Sequence, residues 1–126
     1  MSLLQEKATI AASSARLLLQ AGDHYGAINR AYFAMFHAAR FALTGINSKL
    51  AAAKTHKSVI GGFALHFVKE RGVDKQFGRM FSEAQALRET ADYDLIPIGL
   101  HEADKLVADM ETFLAALQTY FPENAP

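Results

Sequence analysis

The polar residues best suited to chemistry in this 126-residue chain lie in one segment, residues 29–40, which reads NRAYFAMFHAAR. Arginine can hold a phosphate through its planar guanidinium, and histidine can exchange a proton near neutral pH. On a helix, Arg30 and His37 would share a face and lie about 10.5 Å apart along the axis. The pair could therefore meet at one phosphate. At about 100° per residue, the same polar stripe would hold Asp23, Asn29, Arg30, His37, Arg40 and Thr44.

A second arginine lies on an apolar helix face. Arg88 falls near the centre of a stripe formed by Phe77, Met80, Phe81, Ala84, Leu87 and Ala91. A guanidinium there needs an anion or several acceptors, because an unpaired buried charge is strongly disfavoured. Asp92 is one turn further and could be its partner. Alternatively, Asp92 could serve Arg30 from a neighbouring helix.

His56 has a similar position on another predicted helix. It shares a face with Val59, Ile60, Phe63 and Phe67. It also falls in the first turn, where the helix dipole disfavours a protonated imidazole. We therefore expect a neutral His56 if the side chain is buried.

Each of these residues also has a purely structural interpretation. The stripe with Asn29, Arg30 and Arg40 could face solvent, and His37 could be a satisfied core histidine. Arg88 with Asp92 could be a buried ion pair that ties helices together, and His56 a capping or core residue. On this interpretation the chain is a non-catalytic module for dimerisation or for holding a partner protein.

The elements that must position these residues are all predicted to be helices. The alternation of apolar and polar residues that is typical of strands is absent, and Ala, Leu and Phe recur at helical spacing. Asp23 and Thr55 are suitable helix N-caps, while Gly45 and Pro97 mark breaks. We expect one domain over residues 1–126, with helices at about 3–20, 23–44, 55–71, 74–91 and 97–121. Residues 46–54 would form a linker or short turn, and residues 123–126 a frayed tail.

Composition narrows the function classes. Basic and acidic residues number 13 each, so the whole chain offers no electrostatic case for nucleic acid or an anionic membrane. Any such binding must come from a local patch. There is no cysteine and no recognised metal-ligand spacing, so we expect neither metal nor cofactor. No apolar run reaches membrane-spanning length, and no signal-type segment opens the chain, so a cytoplasmic protein is expected.

Three segments, in order, resemble the small prokaryotic HEPN proteins (higher eukaryotes and prokaryotes nucleotide-binding). Residues 29–40 resemble the family's signature helix. The second segment runs from Lys54-Thr-His56 into Gly62-Phe63 and Phe67-Val68-Lys69. The third is Leu87-Arg88-Glu-Thr-Ala-Asp92-Tyr93. The resemblance covers about residues 22–93, with the last predicted helix as the family's closing helix.

The resemblance implies an all-α up-and-down bundle of four or five helices, usually a homodimer, linked to RNA or nucleotides. Many active members are metal-independent ribonucleases with an Arg-x4–6-His motif. Many small ones pair with a minimal nucleotidyltransferase as toxin and antitoxin. The motif's arginine corresponds to Arg88, but after four residues Tyr93 stands where the usual catalytic histidine would be. A literal Arg-x6-His match exists at Arg30 and His37, on a different helix from the family's usual position.

Together these observations predict one polar cluster drawn from three helices. In it Arg30 and Arg88 would hold phosphate or nucleotide, helped by His56 and by Tyr93 as a hydrogen-bond donor or modification site. His37, with Arg88, would carry any ribonuclease chemistry, with His37 as the acid/base. Asp92 and Asn29 would orient the arginines. The competing hypothesis is the non-catalytic module, for example one that binds a minimal nucleotidyltransferase.

Overall fold

The computed structural model describes residues 2–52 and 54–122, and in these ranges it forms a helical bundle without strands. Helix α1 spans Leu3–Gln20 and α2 spans His24–Thr44, and a short 3-10 helix follows at Ser48–Ala52. Helix α3 spans His56–Phe63 and continues into a π-helical turn at Ala64–Lys69. Helices α4 and α5 span Lys75–Tyr93 and Leu100–Gln118. The predicted all-α bundle is confirmed.

Side-chain caps fix where α2 and α3 begin. Asp23 Oδ1 accepts a hydrogen bond from the backbone N–H of Gly26 at 2.8 Å. Thr55 Oγ1 accepts one from Ser58 N–H at 3.0 Å. Each cap satisfies a backbone donor that the first turn leaves free. The turn before α2 needs a left-handed residue, which Gly22 supplies with φ of +83°. Both predicted caps are confirmed.

Helix α2 is the central helix of the bundle. It packs chiefly against α1 and α5 and also against α3 and α4. The side of α1 that faces it is made of alanines, which let the two backbones approach closely. Because α2 is covered on most sides, few of its positions remain at the surface. Its buried residues are Ala27, Ile28, Ala31, Tyr32, Ala34, Met35, Phe36, Ala38, Ala39, Phe41, Ala42 and Leu43.

An aromatic cluster joins α3, α4 and α5 beneath α2. The ring centroids of Phe63 and Phe113 are 5.2 Å apart, and those of Phe81 and Phe113 are 5.3 Å apart. These side chains and Phe67 are fully buried. Burial of each such side chain contributes roughly 1.5–3 kcal/mol, so the cluster holds α4 firmly in register with α2.

The structure corrects several predicted boundaries. Helix α3 does not continue regularly to residue 71, because Glu70 N–H bonds to Leu65 O in a π-type pattern. Helix α4 extends two residues beyond its expected end, to Tyr93. Helix α5 covers residues 100–118 rather than 97–121. Its start is delayed because Ile98 N–H donates to the hydroxyl of Tyr25 at 3.1 Å, a bond to another helix.

Two further predictions concern the segments between and after the helices. The expected short turn in residues 46–54 is the 3-10 helix. The expected tail at residues 123–126 lies outside the described residues. Among those that are described, no helix is long and apolar enough to cross a membrane.

Candidate functional site

Arg88 is buried in the bundle, with 5% of its surface exposed. Its Nη2 donates to Gln85 Oε1 at 2.8 Å, and its Nη1 lies 3.4 Å from Asp92 Oδ2. Its Nε is buried without a hydrogen-bond partner among the described residues. The guanidinium charge is thus met by groups of the protein itself, as the apolar position predicted. Three aromatic rings lie within 6 Å of its guanidinium carbon: Tyr32 at 5.3 Å, Phe33 at 5.6 Å and Tyr93 at 5.8 Å.

Asn29 links the Asp92 carboxylate to the second arginine. Its Nδ2 donates to Asp92 Oδ2 at 2.9 Å. Its Oδ1 accepts from Arg30 Nε at 2.9 Å and from Arg30 Nη2 at 2.7 Å. The alternative in which Asp92 pairs directly with Arg30 is therefore wrong, because the Asn29 amide intervenes. Asp92 instead pairs with Arg88, the closer residue on its own helix.

Arg30 is half-buried and held in place, yet it keeps its charge. Its guanidinium carbon lies 5.3 Å from the centre of the Phe33 ring. In the described part of the chain it forms no ion pair with a carboxylate. The guanidinium donates to the neutral amide of Asn29, which orients it without neutralising it. Such an oriented cation is suited to an external anion.

His37 lies on the same side of α2, beyond Phe33. The Phe33 and His37 ring centroids are 6.0 Å apart. The His37 side chain is half-buried, and its Nδ1 is enclosed with no hydrogen-bond partner among residues 2–52 and 54–122. Burial, followed by the charges of Lys7, Arg40 and Arg30, lowers the pKa of His37 to about 4. The imidazole is thus neutral at pH 7.

Tyr32 and His56 form a separate pair on the inner side of α2. The Tyr32 hydroxyl lies 2.6 Å from His56 Nδ1. Burial raises the pKa of Tyr32, so its hydroxyl stays protonated and donates to His56. Burial and the nearby Arg88 charge lower the pKa of His56, in agreement with the neutral state predicted for it. His56 therefore supports Arg88 through Tyr32 and does not contact Arg30.

The predicted cluster is thus divided into two groups. The inner network, defined as Asn29, Arg88, Asp92 and Tyr93 with the Tyr32–His56 pair, contacts Arg30 through Asn29. His37 and Arg40 lie outside it. Tyr93 is 75% exposed at the network's edge. Among residues 2–52 and 54–122, no three His, Asp or Glu side chains are grouped closely enough to hold a metal ion.

Sequence reasoning missed two residues. Sequence reasoning did not single out Tyr32, although a buried tyrosine hydroxyl regularly requires a partner. Lys7 was not considered at all, because its relation to His37 depends on how α1 packs against α2. The exposed position of Lys7 within a helix gave no signal in the sequence.

The fold and the site define an all-helical domain whose central helix carries an arginine–histidine stripe. The HEPN domain model matches residues 1–120. The chain therefore belongs to the HEPN domain family, which confirms the resemblance found in its sequence.

Similar proteins come from archaea and a thermophilic bacterium. Two proteins of Methanocaldococcus jannaschii are named as candidate toxins. One is 31% identical over 88% of this chain and 81% of its own length. The other is 30% identical over 93% of this chain and 78% of its own length. A UPF0332 protein of Thermotoga maritima is 29% identical over 82% of this chain and 77% of its own length.

Proposed function

We propose that this HEPN protein is the toxin component of a toxin–antitoxin pair and that it binds RNA through phosphate contacts on α2. The contact surface is the outer face of α2, defined as Arg30, Phe33, His37 and Arg40. The toxin role is supported by the two M. jannaschii relatives, whose names describe them as candidate toxins. The RNA role is supported by the chemistry of the outer face.

One observation carries the proposal: Arg30 is oriented by Asn29 but forms no ion pair with a carboxylate in the described part of the chain. The Arg88 guanidinium, by contrast, is buried, and its two terminal nitrogens donate to Asp92 and Gln85. We therefore assign phosphate binding to Arg30 and a positioning role to Arg88. Phosphate contacts of this kind provide salt-dependent affinity without sequence preference.

Cleavage of the bound strand is a second candidate activity, favoured by the position of His37 two turns from Arg30 on the same side of α2. His37 would take the proton from a ribose 2′-hydroxyl. That oxygen would attack the adjacent phosphorus and displace the 5′-oxygen of the next nucleotide, which takes a proton from water. Arg30 would hold the phosphate during attack. This chemistry uses an arginine–histidine pair on α2 in place of the Arg88 and Tyr93 positions.

The binding test compares Arg30→Gln with Arg79→Gln, a matched change at an exposed arginine of α4. Fluorescence anisotropy with a labelled single-stranded RNA oligomer should give about tenfold weaker binding for Arg30→Gln, with a shallower salt dependence. Arg79→Gln should stay near the wild type. Equal effects of the two substitutions would remove Arg30 from the site.

The cleavage test uses the same oligomer in EDTA. His37→Gln should abolish product formation while binding persists. Product formed at the wild-type rate by His37→Gln would exclude His37 as the proton acceptor.

We also propose that the protein forms a homodimer and pairs with a nucleotidyltransferase antitoxin, as the family resemblance implies. An apolar row on α1 supports a helical partner: Leu3, Ile10 and Leu17 recur every seven residues and are 64%, 57% and 64% exposed. Sedimentation velocity of Ile10→Glu tests whether this row holds the second copy. An unchanged dimer would exclude it, whereas a wild-type monomer would contradict the homodimer itself.

A further inference from the structure

A groove between α4 and α5 shares no residue with the outer face of α2 or with the inner network. Both helices pack chiefly against α2 and only lightly against each other, which leaves this space between them. The floor of the groove is apolar and consists of Met80, Ala84 and Leu87 of α4 and Leu106 of α5. Met80 and Leu87 are only partly buried, so the groove presents apolar surface to solvent.

The size of the groove indicates what it can hold. Its cavity has a volume of about 180 Å³. Sites for cofactors and drug-sized ligands usually measure roughly 300–1,000 Å³, so a molecule of that kind would not fit. The groove is better suited to one or two apolar side chains of a protein segment. Met80 and Leu87 are about 10.5 Å apart along the α4 axis, which is also the length of two turns of a docking helix.

The connector between α4 and α5, residues 94–99, adds a second apolar surface at the ends of the same two helices. Ile98 anchors it, since the side chain is buried and the backbone N–H donates to the Tyr25 hydroxyl at 3.1 Å. Leu95 is nevertheless fully exposed, and Ile96 is 63% exposed. Adjacent apolar side chains on an anchored segment indicate an interaction surface, because their position is fixed before a partner binds.

The rim of the groove is acidic. Glu83 lies on its α4 side, and Glu102 and Asp109 lie on its α5 side. Among the described residues that line the groove, Lys105 is the one cation, and its Nζ donates to Asp109 Oδ2 at 2.9 Å. Glu83 and Glu102 form no ion pair within the described part of the chain. The rim is therefore complementary to a positively charged partner and would repel a phosphate backbone.

We propose that the groove and the connector dock an amphipathic helix of a partner protein. The apolar side of that helix would cover Met80, Leu87 and Leu95. Lysine or arginine residues beside its apolar side would face Glu83 and Glu102. A further helix laid between two others is the ordinary packing of a helical bundle, and the acidic rim selects a basic helix over an acidic one. This interaction would be additional to RNA binding on α2, since the acidic groove binds a different class of molecule.

The test uses fluorescence anisotropy with a labelled two-heptad peptide of leucine and lysine at helical spacing. The wild type should bind this peptide, with an affinity that falls as salt is added. One control peptide has glutamate in place of lysine, and another has serine in place of leucine. Both should bind at least about tenfold more weakly. Equal binding of all three peptides, or no binding of the leucine–lysine peptide, would overturn the proposal.

Two variants locate the binding surface. Leu95→Ser removes an apolar contact without disturbing the core, because this side chain is fully exposed, and it should weaken binding of the leucine–lysine peptide about tenfold. Leu65→Ser, the same change at an exposed leucine of the π-helical turn, should keep the wild-type affinity. Glu83→Gln should weaken binding several-fold and reduce its salt dependence, whereas Glu6→Gln on α1 should not. A variant that behaves like its control would show that the surface is wrongly placed.

Two further measurements separate this docking from RNA binding and from self-association. Leu95→Ser should keep the wild-type affinity for single-stranded RNA, so either interaction can fail while the other stands. Sedimentation velocity of the protein alone should give the same association state for the wild type and for Leu95→Ser. A dimer that dissociates in Leu95→Ser would show that the surface holds a second copy, and it would overturn the assignment to a partner protein.

Discussion

Two arginines lie close to one aromatic ring, that of Phe33, and the protein treats them differently. The guanidinium carbon of Arg88 is 5.6 Å from the centre of the Phe33 ring, and that of Arg30 is 5.3 Å from it. Arg88 is buried and receives a carboxylate and an amide oxygen. Arg30 is half-buried and receives one amide oxygen. The comparison teaches that the two arginines differ in the acceptors that the fold supplies as well as in burial, and this difference is why we propose only Arg30 as a ligand-binding residue.

The largest expected effect is a loss of stability when Arg88 is replaced. Arg88→Met should lower the free energy of unfolding by about 2–3 kcal/mol, because Gln85 and Asp92 lose their charged donor. Arg30→Met should cost less than about 1 kcal/mol, since water can reach Asn29. Urea denaturation of both variants measures the difference. Equal losses at the two positions would remove the contrast between the inner and outer sides.

Acid should lower the stability of the fold through His37, which lies on the outer face of α2. The pKa of His37 is about 4 in the folded protein, below its ordinary value of 6.5. Between these two pH values the unfolded chain binds more protons than the folded protein. The contribution of the neutral His37 to the free energy of unfolding is therefore complete above pH 6.5 and is lost as pH falls toward 4. For a half-buried group this amounts to about 1–2 kcal/mol. Denaturation of His37→Gln over this pH range should give a flatter curve; an unchanged curve would contradict the assignment.

The smallest expected effect is at Asn29, which links Arg30 to Asp92. Asn29→Ala removes the bond from Arg30 to the amide and the bond from the amide to Asp92. We expect roughly threefold weaker RNA binding, because the Arg30 guanidinium is no longer pre-oriented. The loss of stability should stay below that of Arg88→Met. Anisotropy and urea denaturation on the same sample measure both, and tighter binding by the variant would show that Asn29 competes with RNA.

The helices could be predicted from sequence because their signals are local. Asp23 and Thr55 cap the helices they were expected to cap, and Arg88 is buried where the apolar stripe placed it. The π-helical turn at Ala64–Lys69 could not be predicted, because no cap or breaker residue marks it in the sequence. The late start of α5 depends on the bond from Ile98 to Tyr25, a contact between residues far apart in sequence.

The site was predicted in part for the same reason. Residue type and helical spacing identified Arg30, His37, Arg88 and Asp92. They could not reveal that Asn29 would separate Asp92 from Arg30, since that depends on the distance between α2 and α4. The effect of Lys7 on His37 could not be predicted, because residue spacing along one helix carries no information about which residues of the neighbouring helix lie near it.

The outer face of α2 has a consequence for how the molecule would approach a polyanion such as the proposed RNA. The chain is neutral overall, with 13 basic and 13 acidic residues. The outer face nevertheless brings two of those basic residues, Arg30 and Arg40, to one side of α2. If RNA binds there as proposed, this local positive charge should favour encounters in which the outer face meets the strand. Association should then be orientation-selective at low ionic strength, and added salt should slow the encounter more than it speeds dissociation.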